Sequence, residues 1–187
     1  MRVVVGICGA SGVIYGVRLI EVLKNLGHEV YVVVTRNGLK VLELECGRNI
    51  INRLKELSSG FYGDDDWGSP LVSSSWIFNC MVIAPCSMKT LAAISHGYSH
   101  NVLVRAAINA LRLGKKLVLV LRETPLSVFD LENALRVARA GAVVLPASPA
   151  FYHEPKSISD MVDFVVGKVL DVLGIEHKLY KRWREHA

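Results

Sequence analysis

Cysteine is scarce in this chain, and its spacing is wrong for metal. Only Cys8, Cys46, Cys80 and Cys86 are present, and no two form CxxC. That excludes a zinc knuckle and a thioredoxin-like motif. Cys8, Cys80 and Cys86 sit in or beside apolar runs and are expected as buried packing thiols in a reducing compartment. Long hydrophobic runs are absent as well. No stretch approaches ~20 apolar residues, so no segment is expected to span a membrane. The apolar start, MRVVVGICGASG, is too short for a signal peptide core and turn residues follow at once. A soluble cytoplasmic protein is the expectation.

Other signatures are missing too. There is no internal repeat and no low-complexity segment. The 15 glycines and 6 prolines, with 51% apolar and 21% charged residues, exclude collagen-like, disordered and disulfide-scaffold chains. The Gly9-Ala10-Ser11-Gly12 turn is not followed by Gly-Lys-Ser/Thr, so it is no Walker A loop. The glycines at 6, 9 and 12 do not make GxGxxG. Asp64-Asp65-Asp66 lacks the fifth acidic position of DDxxD, where Gly68 or Ser69 stands, so a magnesium-diphosphate site is not supported and a solvated acidic loop is expected. His96 and His100 share a spacing of four, but Gly97 and Ser99 weaken the helix and no third ligand is apparent; no metal is expected.

What is present is one domain's worth of chain: 187 residues, with 22 Lys+Arg against 17 Asp+Glu for a net charge of +5. The expected domain is 1–187, with a basic tail over about 175–187. The excess charge permits nucleic acid, an anionic membrane or a phosphorylated small molecule. The tail, from Lys178 to Arg184, is short and flanked by Glu176 and Glu185. An oligomer contact or a solvated end fits it better than nucleic acid.

Short buried-strand runs alternate with helical stripes. Strands are expected at Arg2–Ile7, Glu29–Val34, Cys80–Ala84, Lys116–Leu121 and Ala142–Leu145. Helices are expected at Ser11–Leu26, Arg36–Cys46, Met88–Ser95, Val102–Leu113, Ser127–Ala140 and Ile158–Leu173. Strands apolar on both faces and alternating with helices predict an α/β fold with a parallel sheet covered on both sides. Ser58–Ser75 is the least regular region, and a loop that long is more often functional than idle.

Ligands of such sheets bind at the carboxyl ends of the strands. Those ends read Gly9-Ala10-Ser11-Gly12, Thr35-Arg36-Asn37, Cys86-Ser87-Met88-Lys89-Thr90, Arg122-Glu123-Thr124, and Pro146 through Tyr152-His153. Small, hydroxylated and basic residues recur, as a phosphate-bearing ligand requires. Taken singly, Ser11 could be a helix N-cap, Ser87–Thr90 an ordinary helix start, and Arg122 with Glu123 a salt bridge at the sheet rim.

Together the segments resemble UbiX-type flavin prenyltransferases. The likeness lies in GASGVIYGVRL (9–19), APCSMKTLAAISHGYSHN (84–101), LVLVLRETPLS (117–127) and GAVVLPASPAFYHEPKSI (141–158). It implies a flavodoxin-like or Rossmann-like three-layer α/β/α sandwich, assembled as a homododecamer. It implies transfer of a dimethylallyl group, usually from dimethylallyl monophosphate, to N5 and C6 of reduced FMN. The product, prenylated FMN, then serves a UbiD-type decarboxylase. By the resemblance, Gly9, Ala10, Ser11, Thr35, Ser87, Met88, Lys89, Thr90 and Arg122 hold FMN. Tyr152, Lys168, Arg105 and Arg112 hold the dimethylallyl phosphate, which requires Lys168 to reach the strand-end face. Glu45 and Glu123 stand near the reacting flavin, Glu123, Ser11 or the released phosphate takes part in proton transfer, and Trp67 faces the prenyl group. Ser73-Ser74-Ser75 departs from the family's Ser-Gly-Ser and puts a side chain near the expected prenyl pocket. A cysteine decarboxylase of the pantothenate-pathway type would share fold and FMN, but its PxMNxxMW segment is missing. A non-catalytic FMN carrier would not need Glu45, Glu123, Tyr152 and Lys168.

Overall fold

The computed structural model describes residues 1–183. The order is β1 (Arg2–Ile7), α1 (Val13–Asn25), β2 (Glu29–Val34), α2 (Arg36–Cys46), α3 (Ile50–Leu57), β3 (Gly60–Gly63), a 3-10 turn (Pro70–Val72), β4 (Cys80–Cys86), α4 (Met88–Ser95), α5 (Val102–Arg112), β5 (Lys116–Leu121), α6 (Val128–Arg139), β6 (Val143–Pro146) and α7 (Ile158–Leu173). The six strands form one sheet in the order β3-β2-β1-β4-β5-β6, and every pair is parallel. This is the doubly wound order of dinucleotide-binding sheets, with its switch point between β1 and β4.

The sheet is apolar on both faces because both are covered. On one, Val3, Val5, Ile7, Val32 and Val82 pack against α1, α2, α3 and α7. On the other, Val4, Met81, Ile83, Leu117 and Leu119 pack against α4, α5 and α6. Alternate strand residues feed opposite cores, so each strand reads as an unbroken hydrophobic run. α1 lies closest to the sheet at Gly16, where a Cβ would stand 2.2 Å from the Ala84 carbonyl oxygen.

Three elements depart from the sequence expectation: α3 (Ile50–Leu57) is not among the expected helices, and two strands differ. The region expected as one long loop contains β3, which extends the sheet edge by pairing Tyr31–Val34 with Gly60–Gly63. Four residues bracketed by glycines carry no alternation to announce a strand; the free edge of β2 supplies the order. The β4 strand runs past Pro85 to Cys86, with the register shifting between Ile83 and Cys86. Proline cannot donate to the ladder, and the irregularity accommodates it.

Over its described part the basic tail is anchored through His177 and Tyr180, while Lys181, Arg182 and Trp183 stay exposed. It folds back on α7. A Cβ at Gly167 would stand 2.5 Å from the Tyr180 ring and 2.7 Å from that of His177, so the glycine makes the seat. Tyr180 also packs on Phe164, with ring centroids 4.8 Å apart. Arg184, in the basic run, lies outside the described residues.

Candidate functional site

The residues that follow β1, β2, β3 and β4 meet on one side of the switch point. Gly9, Thr35, Asp64 and Ser87 line a cavity of about 280 Å³, joined by Arg36 and Asn37, by Lys89 and Thr90, and by His100 and Asn101. Three helices begin at its wall. Thr35 caps α2, its Oγ1 accepting from the Gly38 N–H at 3.0 Å. Ser87 caps α4 through Thr90 N–H at 3.3 Å, and Asn101 caps α5 through Val104 N–H at 2.9 Å. Each cap satisfies one first-turn amide and leaves others unused. The positive ends of three helix dipoles converge there, beside the side chains of Arg36 and Lys89. An anion fits this wall. Close approach at Gly9 completes it: a Cβ there would fall 2.5 Å from Cβ of Asn37.

Hydroxyls are organised behind the cavity. Ser87 Oγ donates to Thr90 Oγ1 at 3.2 Å, and Cys8 Sγ lies 3.2 Å from the same atom. Burial pushes the Cys8 thiol up, so it stays protonated. The expectation of buried packing thiols holds for Cys8, Cys80 and Cys86, and all four cysteines are free.

Asp64 corrects the reading of a solvated acidic loop. Its carboxylate accepts from Arg36 N–H at 3.2 Å and from Asn101 Nδ2 at 3.1 Å. Its carbonyl accepts from Val102 N–H at 2.9 Å. Asp64 therefore ties the starts of α2 and α5 to the end of β3, while Asp65 and Asp66 remain exposed.

The start of α1 is different. Its N-cap position is Gly12, at φ 94°, and no side chain next to it caps the helix. Ser11 as N-cap is thereby overturned. Glu45, from the last turn of α2, does the work: Oε2 accepts from Gly12 N–H at 2.9 Å and Val13 N–H at 3.2 Å. Arg122 passes alongside, its Cγ 3.8 Å from where a Gly12 Cβ would be. Burial raises the Tyr15 hydroxyl pKa here, and the charge of Arg122 opposes that. The GASG turn thus has its leading amides occupied by a carboxylate; at α2 and α5 Asp64 takes one amide each, and the α4 start is the one of the four that neither Glu45 nor Asp64 caps.

Comparison with known proteins decides the family. A family model described as Flavoprotein matches residues 1–170. The flavin prenyltransferase UbiX of Saccharolobus solfataricus is 49% identical over 185 residues, covering 98% of this chain and 92% of the relative. The chain belongs to the UbiX family of flavin prenyltransferases. It is an enzyme, a transferase. Two solved UbiX structures superpose on nearly its whole length. A dodecameric FMN-dependent UbiX-like decarboxylase from Escherichia coli O157:H7 has a TM-score of 0.95 at 38% identity, covering 98% of this chain and 100% of that one. AnUbiX (PadA1), in complex with FMN and dimethylallyl pyrophosphate, has a TM-score of 0.95 at 35% identity, covering 100% and 98%.

Against that family, the residues expected from sequence fall into groups. Gly9, Thr35, Ser87, Lys89 and Thr90 line the cavity. Ala10 and Ser11 lie in the turn before α1, Met88 packs on the core beside α4, and Glu45 and Arg122 meet at the α1 start. Glu123 is exposed, its Oε1 accepting from Thr124 N–H at 3.0 Å. Trp67 is half-exposed on the turn after β3. Arg105 donates from Nε to the Val72 carbonyl at 3.1 Å, bracing the 3-10 turn.

Two cations, Lys168 and Arg112, do not line that cavity. α7 begins near the strand-end face, where Ile158 and Ser159 share a cavity wall with Glu45. It then runs back toward the start of β5, where Lys116 Nζ donates to the Val172 carbonyl. At about 1.5 Å per residue, Lys168 stands about 15 Å down the helix from Ile158. It lines a separate cavity of about 290 Å³ with Pro146 and Ser148, at the carboxyl end of β6, and with Phe164. Arg112 likewise ends α5, just before β5 begins. Tyr152 packs edge-on against Phe164, close to Lys168.

Sequence reasoning does not select Asp64, His100 or Asn101 as site residues. Asn101 before an apolar run was the available signal, since Asn favours N-caps. Among the described residues, no group of His, Cys, Asp and Glu could hold a metal, and no helix is long and apolar enough to cross a membrane.

Proposed function

We propose that this chain joins a dimethylallyl group from dimethylallyl phosphate to reduced FMN, with bonds at flavin N5 and C6 and release of phosphate. Prenylated FMN is handed to a UbiD-type decarboxylase in the cytoplasm. The observation that carries the reading is the convergence of three capped helix N-termini, with Gly9 and the hydroxyls of Thr35, Ser87 and Thr90, on one cavity. That wall suits the FMN phosphate. Gly9, Ala10, Ser11, Thr35, Ser87, Met88, Lys89, Thr90 and Arg122 hold FMN.

Reduced FMN supplies the two nucleophilic positions. The chain's own residues manage charge and protons. As the allylic C–O bond breaks, Lys168, Arg105, Arg112 and the Tyr152 hydroxyl neutralise the departing phosphate. The face of Trp67 stabilises the allylic cation. Glu45, fixed on two backbone amides, keeps a carboxylate beside the reacting centre. The second bond uses the prenyl C=C bond: a proton is delivered to its less substituted carbon, and C6 bonds to the more substituted one. The C6 proton is then removed, with Glu123, Ser11 or the released phosphate carrying these protons.

The donor subsite is completed between copies of the chain, as a homododecamer. The position of Arg112 at the far end of α5, just before β5 begins, supports this, as does the dodecameric E. coli relative. The exposed apolar face of α6, with Val128, Phe129, Leu131 and Leu135, fits an assembly contact.

The test is anaerobic incubation of purified protein with reduced FMN and dimethylallyl phosphate, followed by mass spectrometry of the extracted flavin. The expected flavin is heavier by one prenyl unit. Unmodified FMN under these conditions overturns the reading.

A further inference from the structure

Among the described residues that line the anion cavity, Asp64 alone is acidic. Its Oδ1 accepts from the Arg36 N–H at 3.2 Å and its Oδ2 from Asn101 Nδ2 at 3.1 Å. Both donors are fixed. Arg36 opens α2, and Asn101 must turn Nδ2 to Asp64 because its Oδ1 caps α5 on the Val104 N–H at 2.9 Å. Arg36 and Lys89 share the cavity wall, yet among the described residues no side-chain cation forms an ion pair with Asp64. Its charge reaches the back of the cavity: burial above all, and more weakly Asp64, push the Cys8 thiol up.

A carboxylate offers about four acceptor directions over its two oxygens. Two are used here, so acceptor capacity is left over beside the cavity. A half-buried carboxylate with no cation to neutralise it calls for donors. A phosphate dianion brings none. It presents acceptors only, and a like charge repels it. Hydroxyl groups do bring donors. The cavity wall therefore has two characters: Thr35 and Lys89, with the α4 start, suit an anion, and Asp64 suits O–H groups. Its volume of about 280 Å³ exceeds what one phosphate fills, since a water takes only ~30 Å³. FMN carries both parts on one chain, a phosphate and the ribityl hydroxyls that lead to it.

We propose that Asp64 is the acceptor for the ribityl hydroxyls of the flavin, and that it sets the polarity of FMN in the cavity by keeping the phosphate off its own flank. The inference rests on FMN as the ligand of this cavity, and deepens that reading. Asp64 then binds ligand as well as bracing the starts of α2 and α5.

The test uses flavin-free full-length chain and three probes. Riboflavin keeps the ribityl hydroxyls and lacks the phosphate, lumiflavin lacks both, and inorganic phosphate is the third. Asp64→Asn keeps the size of the side chain and one acceptor oxygen. It should weaken riboflavin about tenfold in fluorescence titration, as loss of a charge-assisted hydrogen bond does, and leave lumiflavin within about twofold. Inorganic phosphate, titrated by calorimetry, should bind the variant about threefold more tightly, because a like charge is gone. A brace alone does not give opposite signs. Unchanged riboflavin affinity in Asp64→Asn overturns the proposal, and so does a parallel loss for all three probes. The unaltered chain supplies a check that no folding defect can blur. Riboflavin and phosphate should bind it together, with saturating phosphate shifting riboflavin affinity less than about twofold; mutual exclusion overturns the proposal. FMN that binds yet ignores Asp64→Asn removes the role of Asp64 alone, whereas no FMN binding by the unaltered chain removes the flavin reading with it.

Discussion

Three helices begin around the cavity with caps of their own, and α1 begins beside them with a cap from elsewhere. Thr35, Ser87 and Asn101 each use one hydroxyl or amide oxygen to satisfy one amide three residues on. Asp64 takes one further amide at α2 and one at α5, and the start of α4 carries no such second partner from Asp64, so its dipole end faces the cavity. At α1, Glu45 spans 33 residues of sequence to take both leading amides with a full negative charge. The same backbone feature thus serves two ends. A local cap takes one amide and leaves the next for another acceptor, as Asp64 shows at α2; at α1 the imported carboxylate takes both leading amides and places a fixed charge there.

The largest break in this contrast comes from Gly16→Ala. A Cβ 2.2 Å from a backbone oxygen must push α1 off β4. A stability loss of about 2–3 kcal/mol is expected in urea unfolding, and the Gly12 amides should lose their register with Glu45. A loss under about 0.5 kcal/mol would mean that α1 is not held against the sheet as described.

Glu45 gives the next effect. Glu45→Ala leaves two amides without their acceptor and should cost about 1–2 kcal/mol, read from thermal unfolding. Product formation should fall at least about tenfold. Glu45→Gln keeps an acceptor oxygen, so most of the stability should return while the product does not. Full activity in Glu45→Gln would make the residue a cap and nothing more.

Thr35 sharpens the other side. Thr35→Ala should cost about 1 kcal/mol as a lost N-cap, and Thr35→Ser should restore it. FMN affinity, followed by flavin fluorescence, should weaken about fivefold while riboflavin affinity holds. Equal weakening of both flavins would put the phosphate somewhere other than the α2 start.

Much of this was legible in the chain. Five strands were read from buried apolar runs, and the hydroxyls and glycine that follow three of them do line the cavity. Asp64 was missed for a traceable reason. It is also a strand-end residue, but its strand, β3, has no hydrophobic pattern of its own and exists by pairing with β2. Without the strand, the carboxylate read as part of a solvated run. The pattern around Lys168 fixes its helix; its place beside the end of β6 depends on how α7 crosses the sheet.

The sequence by itself determined the parallel two-sided sheet, the caps of α2, α4 and α5, and the class of ligand that such strand ends attract. These rest on interactions within a few residues, or on burial that every apolar run obeys. Cysteine scarcity and the missing DDxxD likewise bounded the chemistry from composition and spacing alone. Tertiary structure decided what distant residues do to one another. It brought Glu45 to α1 and Asp64 between α2 and α5. It also folded the basic tail onto α7. Such contacts depend on which elements are neighbours in three dimensions, and chain closure over tens of residues leaves no local periodicity to read.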